Sequence, residues 1–123
     1  MKFLDFIETK KLWYLAHPYI KNPKYNFMDA NVISADLIKR GYIVFSPVSM
    51  SHPIDAYSDE FPQEFWYKFD FVIANRCDGI ILSGDWKSST GCLLEKKFFE
   101  NKGLPVLEYK TIVRESLNLP IDI

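Results

Sequence analysis

The sequence predicts a single α/β domain built on a doubly wound parallel sheet of four to five strands. Three observations lead there. Short runs such as "KLWYLA" and "DGIILSG" are apolar at successive positions, as in strands buried on both faces. They alternate with segments whose apolar residues recur at a helical period. No repeat, linker or low-complexity tract divides the 123 residues, a length that suits one compact domain. Right-handed crossovers turn such a pattern into an open sheet, whose ligands bind beyond the carboxyl ends of the strands.

The run at 11–16 reads as the first strand, ended by His17-Pro18. "KNPKYN" at 21–26 is turn-like. From Phe27 to Arg40, Ala30, Val32, Ile33, Leu37 and Ile38 fall near a helical period, and Gly41 stops the helix. "YIVFSPV" at 42–48 is a second strand, halted by Pro47. Ser49 to Asp59 shows no periodicity, contains His52-Pro53 and reads as a long loop. Glu60 to Ala74 reads as a helix, with Phe61, Phe65, Phe69 and Ile73 spaced by four and Pro62 in its first turn. A third strand follows at 78–84. Ser88 or Ser89 then caps a helix running to about Asn101, "LPVLEY" at 104–109 is a fourth strand, and the tail from Thr111 holds one more helical turn.

Composition narrows the function. The chain is 48% hydrophobic and 16% aromatic, enough for a real core. Fifteen basic and sixteen acidic residues nearly cancel, which argues against a nucleic-acid partner recognised by phosphate electrostatics. No apolar run approaches the ~18–20 residues of a membrane span. "MKFLDFIETKK" carries Asp5 and Glu8 in its apolar part and makes a poor signal peptide. Cys77 and Cys92 form neither a CxxC pair nor a disulfide framework, so buried thiols in a reducing compartment are expected. The expected location is the cytoplasm, of a cell or of a phage-infected host. His17 and His52, with the two cysteines, make no metal-site spacing, and neither metal nor cofactor is expected.

The polar, turn-rich stretches fall after the first three strands: "HPYI", "SPVSMSHPI" and "SGDWKSSTG". In the last, Ser88, Ser89, Thr90 and Gly91 lead into a helix, where free N–H groups favour an anion such as phosphate. From spacing alone, the plainer reading is that a serine merely caps the helix. Glu95 shares a helix face with Gly91 and Phe99, at spacings of four, away from Lys96, Lys97 and Lys102. It is either a boundary glutamate aided by the helix dipole or a carboxylate facing a site. Asp70, between Phe69 and Phe71, either projects from apolar surroundings as a general acid or is a surface charge. Asp78 reads as a strand-opening turn residue. Trp86, in the turn beside the expected site, could stack on a base.

These stretches together resemble a known superfamily. "WYLAHPY", the long helix, "VFSPVSMSHPI", "CDGIILSGDWKSSTGCLLE" and "GLPV" are similar, in order and spacing, to the nucleoside 2-deoxyribosyltransferase-like proteins. Within that superfamily the "SMSHPI" loop resembles the domain of unknown function 1937. The resemblance covers Leu12 to Val106 and implies a flavodoxin-like (Rossmann-like) fold, usually dimeric, that cleaves or transfers the N-glycosidic bond of a nucleoside or nucleotide. It places the glutamate nucleophile at Glu95. The aspartate handling the base proton falls at Asp70, eight residues before Asp78. The tyrosine that orients the nucleophile corresponds to Tyr14 or Tyr19.

Two departures bear on the substrate. The transferases carry an aspartate six residues before the nucleophile, where this chain has Ser89. The related deoxynucleoside 5′-monophosphate hydrolases have a serine there that contacts the 5′-phosphate, which shifts the expectation toward a nucleotide and toward water as acceptor. His17 stands where many relatives have glycine, and its bulk would narrow the sugar pocket. The expected chemistry is double displacement: Glu95 attacks C1′, Asp70 protonates the leaving base, and water releases the sugar phosphate. Ser88, Ser89, Thr90 and Gly91 would hold phosphate, and Ser49, Ser51 and His52 would line the sugar or base side. The alternative is a non-catalytic module that binds or sequesters a nucleotide, needing no competent Glu95–Asp70 pair. A blander reading, a vestigial site, predicts an exposed Glu95 and a pocket filled by Trp86 or His17.

Overall fold

The uncharged run Leu12–Ala16 becomes β1, and its neighbours decide the architecture. In the computed structural model, which describes residues 2, 4, 5, 7 and 10–118, β1 pairs in parallel on one side with β2 (Ile43–Phe45). On its other side it pairs in parallel with β3 (Gly79–Leu82), which in turn pairs with β4 (Val106–Glu108). The order β2-β1-β3-β4 is that of a flavodoxin-like sheet, with its topological switch between β1 and β3. The chain leaves those two carboxyl ends in opposite directions, which opens the crevice where the site lies.

Side chains alternate across the strands, so each face of β1 buries against different helices. Tyr14 and Ala16 face one way and pack with Ile80, Leu82, Cys92 and Phe99, on the side of α3 (Gln63–Ala74) and α4 (Thr90–Asn101). Leu15 and Ile81 face the other way, onto Ile33 and Leu37 of α1 (Pro23–Lys39), with Tyr109 and Ile112 of α5 (Tyr109–Asn118) alongside. This alternation aims the Tyr14 hydroxyl into the α3–α4 side. Asp78 pins the opening of β3, its Oδ2 accepting from Leu12 N at 2.7 Å while its own N–H donates to Leu12 O at 2.8 Å.

The elements depart from the sequence reading at several points, among them two shorter strands: Ile43–Phe45 where 42–48 was expected, and Val106–Glu108 where 104–109 was expected. The turn-like 21–26 segment already contains the first turn of α1, with Pro23 at the position where its missing N–H costs nothing. The expected loop from Ser49 to Asp59 is largely helix, α2 (Pro47–Asp55). Ser46 caps it by accepting from Ser49 N at 3.3 Å, and His52 stacks on Phe27 of α1 with ring centroids 4.4 Å apart. Pro62 sits at the cap of α3 rather than inside its first turn. The C-terminal helix runs for 10 residues, longer than one turn. The N-terminal segment read as a poor signal peptide lies partly outside the described residues, and the tail beyond Asn118 lies wholly outside them. Among the described residues, no helix is long and apolar enough to cross a membrane.

Gly84 ends β3 with φ of +61°, and a Cβ there would stand 2.9 Å from His17 Nε2. His17 cannot yield, because Nε2 meets Asp29 Oδ2 at 2.7 Å and Nδ1 meets the Pro18 carbonyl at 2.8 Å. Gly84→Ala is therefore expected to destabilise the fold by about 1–3 kcal/mol, combining left-handed strain with the clash. Urea unfolding would show it as a lower midpoint at unchanged slope.

Candidate active site

α4 begins where the 3₁₀ turn Trp86–Ser88 ends, and Ser89 is its cap, the hydroxyl oxygen accepting from Cys92 N at 3.2 Å. The first-turn amides of Thr90 and Gly91 make no hydrogen bond among the described residues, as helix geometry dictates. A Cβ at Gly91 would press Tyr67 Cε1 at 3.2 Å, so the bare glycine lets α3 and α4 close over the turn. Glu95 follows Gly91 by one helical turn and lies half-buried.

The carboxylate of Glu95 meets Tyr14, whose hydroxyl donates to Oε2. This bond selects Tyr14 over Tyr19 as the group that orients Glu95. The Tyr19 hydroxyl instead shares a 2.6 Å hydrogen bond with His52 Nδ1. Asp70, from the last turn but one of α3, turns inward, and its Oδ1 is buried with no hydrogen-bond partner among the described residues. Tyr14, Asp70 and Glu95 line one pocket of about 290 Å³, beside Ser89, Gly91 and His17. A second depression, of about 650 Å³, is lined by Ser88 and Thr90 and shares His17, Tyr19, Tyr67 and Ser89 with the first.

Electrostatics follow from burial. Loss of solvent pushes the Glu95 carboxyl up to about 8, with the Tyr14 hydrogen bond opposing and the Asp70 charge adding. Burial alone pushes Asp70 up to about 7. Two carboxyls in one low-dielectric field hold a single proton between them near neutrality, and that proton belongs to the pair. Two opposing effects set where it rests: burial raises Glu95 further than Asp70, and the Tyr14 hydrogen bond pulls Glu95 back toward its ionised form. Tyr14 supports an ionised Glu95, whereas Asp70 Oδ1 has no donor to stabilise a charge. Tyr14 itself is held well above its usual range by burial and by Glu95, so it remains a donor.

The other sequence-derived positions divide. Ser51 lines the first pocket. Ser49 does not, and instead donates from Oγ to Ser46 Oγ at 2.7 Å. His52 acts only through Tyr19, whose ring is a pocket wall. Trp86 is elsewhere, its Nε1 donating to Glu108 Oε1 at 3.1 Å beside a separate depression. His17 is a wall shared by both depressions, and with an acceptor on each ring nitrogen it has none left for a ligand. Cys77 and Cys92 are buried and free, and burial pushes their thiols up to about 11 and about 12, far from nucleophilic. Among the described residues, no group of three or more His, Cys, Asp and Glu could hold a metal ion.

The sequence reading missed Asp55, Phe61, Trp66 and Tyr67, all of which line the first pocket. Only the folded chain, with Trp66 bonded to Asp55 of α2 and Tyr67 lying against Gly91 of α4, shows which rings of this segment turn inward. The chain matches, over residues 11–111, the family described as Domain of unknown function (DUF1937). It belongs to that family. No curated protein matches it.

Proposed function

We propose that the protein hydrolyses, or transfers across, the N-glycosidic bond of a nucleoside 5′-monophosphate or nucleoside, as the nucleoside 2-deoxyribosyltransferase-like resemblance implies. The observation that carries the reading is the carboxyl pair in one pocket, with Tyr14 donating to Glu95 and Asp70 presenting an unpartnered, buried oxygen. Glu95 attacks C1′ as the bond from C1′ to the base nitrogen breaks, and the Asp70 proton goes to the departing base. A glycosyl ester on Glu95 results. Asp70, now ionised, takes a proton from water, which attacks C1′ and frees Glu95 with net retention. Tyr14 holds the attacking oxygen in place, and the hydroxyl turn at Ser88, Ser89 and Thr90 receives the phosphate.

A binding-only module would require the turn but not the pair, and two buried carboxyls cost stability that mere binding does not explain. The expected homodimer finds support in apolar side chains exposed on α3 and α4, Phe65, Phe69, Val72, Leu93 and Leu94. Incubation with a panel of nucleosides and their 5′-monophosphates, followed by chromatography of free base, tests the activity. Release from monophosphates at a rate at least about tenfold above nucleosides is expected from the Ser89 turn. Tight binding of one nucleotide with no release from any would replace the enzyme with the sequestering module.

A further inference from the structure

The pocket contains a third carboxylate that double displacement does not use. Asp55 closes α2 and is half-buried, its Oδ1 accepting from Trp66 Nε1 at 3.0 Å. The indole thereby fixes the carboxylate, while Oδ2 makes no hydrogen bond, and Asp55 no ion pair, among the described residues. Beside it, Phe61 and Trp66 pack edge to face with centroids 5.5 Å apart, and both line the pocket. The result is an acceptor-only group mounted on an aromatic wall, an arrangement suited to a flat, hydrogen-bonding ring.

Polarity sets the direction of a bound nucleotide. Ser88 and Thr90 line the second depression, where Asp55 is absent, and Asp55 lines the first, where those two are absent. The second depression also carries Asp29, engaged by His17, and Asp85, with Lys21 as a cation beside them. The amides that open α4 are what draws a phosphate there, whereas the first pocket sets Asp55 together with Glu95 and Asp70 against it. The base then lies at the Asp55 end, in the pocket that also contains Glu95 and Asp70.

We propose that Asp55 is a specificity-determining residue that selects nucleobases presenting an exocyclic amino group, an inference that rests on the nucleotide reading of this pocket. Oδ2 accepts from such an amine, whereas the O4 carbonyl that uracil and thymine carry where cytosine has its amine sets acceptor against acceptor. A site built to meet a donor discriminates strongly against a ligand lacking it. Trp66 is a positioning residue in this scheme, acting through Asp55.

The test compares equilibrium binding of cytidine, adenosine, guanosine, uridine and thymidine 5′-monophosphates in a Glu95→Gln background, where substrate survives. It adds kcat/KM ratios for the parent. Amino-bearing bases are expected to bind at least about tenfold more tightly than uridine and thymidine. Asp55→Asn, which adds a donor, should bring that ratio to unity or invert it, and Trp66→Phe should shrink it. A structural Asp55 would instead weaken all five ligands alike. Equal binding across the panel, an Asp55→Asn ratio like the parent's, or no binding at all would overturn the inference. The binding preference without base release from the parent would sustain it while ending the hydrolase reading.

Discussion

Replacing Glu95 by glutamine is expected to cut release of free base by about a thousandfold or more, with nucleotide affinity nearly retained. Glutamine keeps the shape of the side chain and can accept from Tyr14, yet it cannot form the glycosyl ester. The same substitution should make the fold more stable at alkaline pH. In the parent, burial holds the Glu95 carboxyl at about 8 against an ordinary 4.5, so the native state binds more protons than the unfolded chain between those values. Parent stability therefore falls as pH rises through that window and levels off above it. Glutamine carries no such penalty. The gain in Tm should be near zero at pH 4 and roughly 10–20 °C at pH 9. A variant that hydrolyses as fast as the parent removes Glu95 from the chemistry, and an inactive variant with no alkaline gain would mean that Glu95 is not ionising in a buried site.

The fold was legible because buried parallel strands leave unbroken apolar runs, and "KLWYLA" and "DGIILSG" became β1 and β3, at the centre of the sheet. α2 was not, for a physical reason. Its residues, PVSMSHPID, include two prolines and four polar side chains in nine positions, so no apolar face shows. The Ser46 cap and the stacking of His52 on Phe27 stabilise it, and both depend on where α1 lies. Site legibility follows the same division. Glu95 and Gly91 are related by one helical turn, which sequence spacing reveals. The choice between Tyr14 and Tyr19 required the strand alternation that sends Tyr14 toward α4. Asp55 and Trp66 meet across the connection between α2 and α3, 11 residues apart, where no periodicity operates. Their role could not be read before the backbone brought them together.

Asp70→Asn should also impair hydrolysis, by about 10²–10⁴-fold, because the base must then leave without a proton. The pH profile separates this role from a structural one. The competent pocket holds one proton, on Asp70 and not on Glu95, so parent kcat/KM is expected to be bell-shaped around neutrality, its limbs belonging to the coupled pair. Asparagine cannot lose a proton in this range, and the alkaline limb should disappear. The acidic limb should move to lower pH, since Asp70 no longer adds its charge to the cost of ionising Glu95. The leaving group supplies a second discriminator. A nucleotide of N7-methylguanine carries its positive charge already and departs as a neutral base, so Asp70→Asn should cost it little. An equal loss on methylated and ordinary substrates, or an alkaline limb that survives, would show that Asp70 shapes the pocket without donating the proton. Glu95 would then act on bases protonated by solvent, and Asp70 would matter only through the charge it adds beside Glu95.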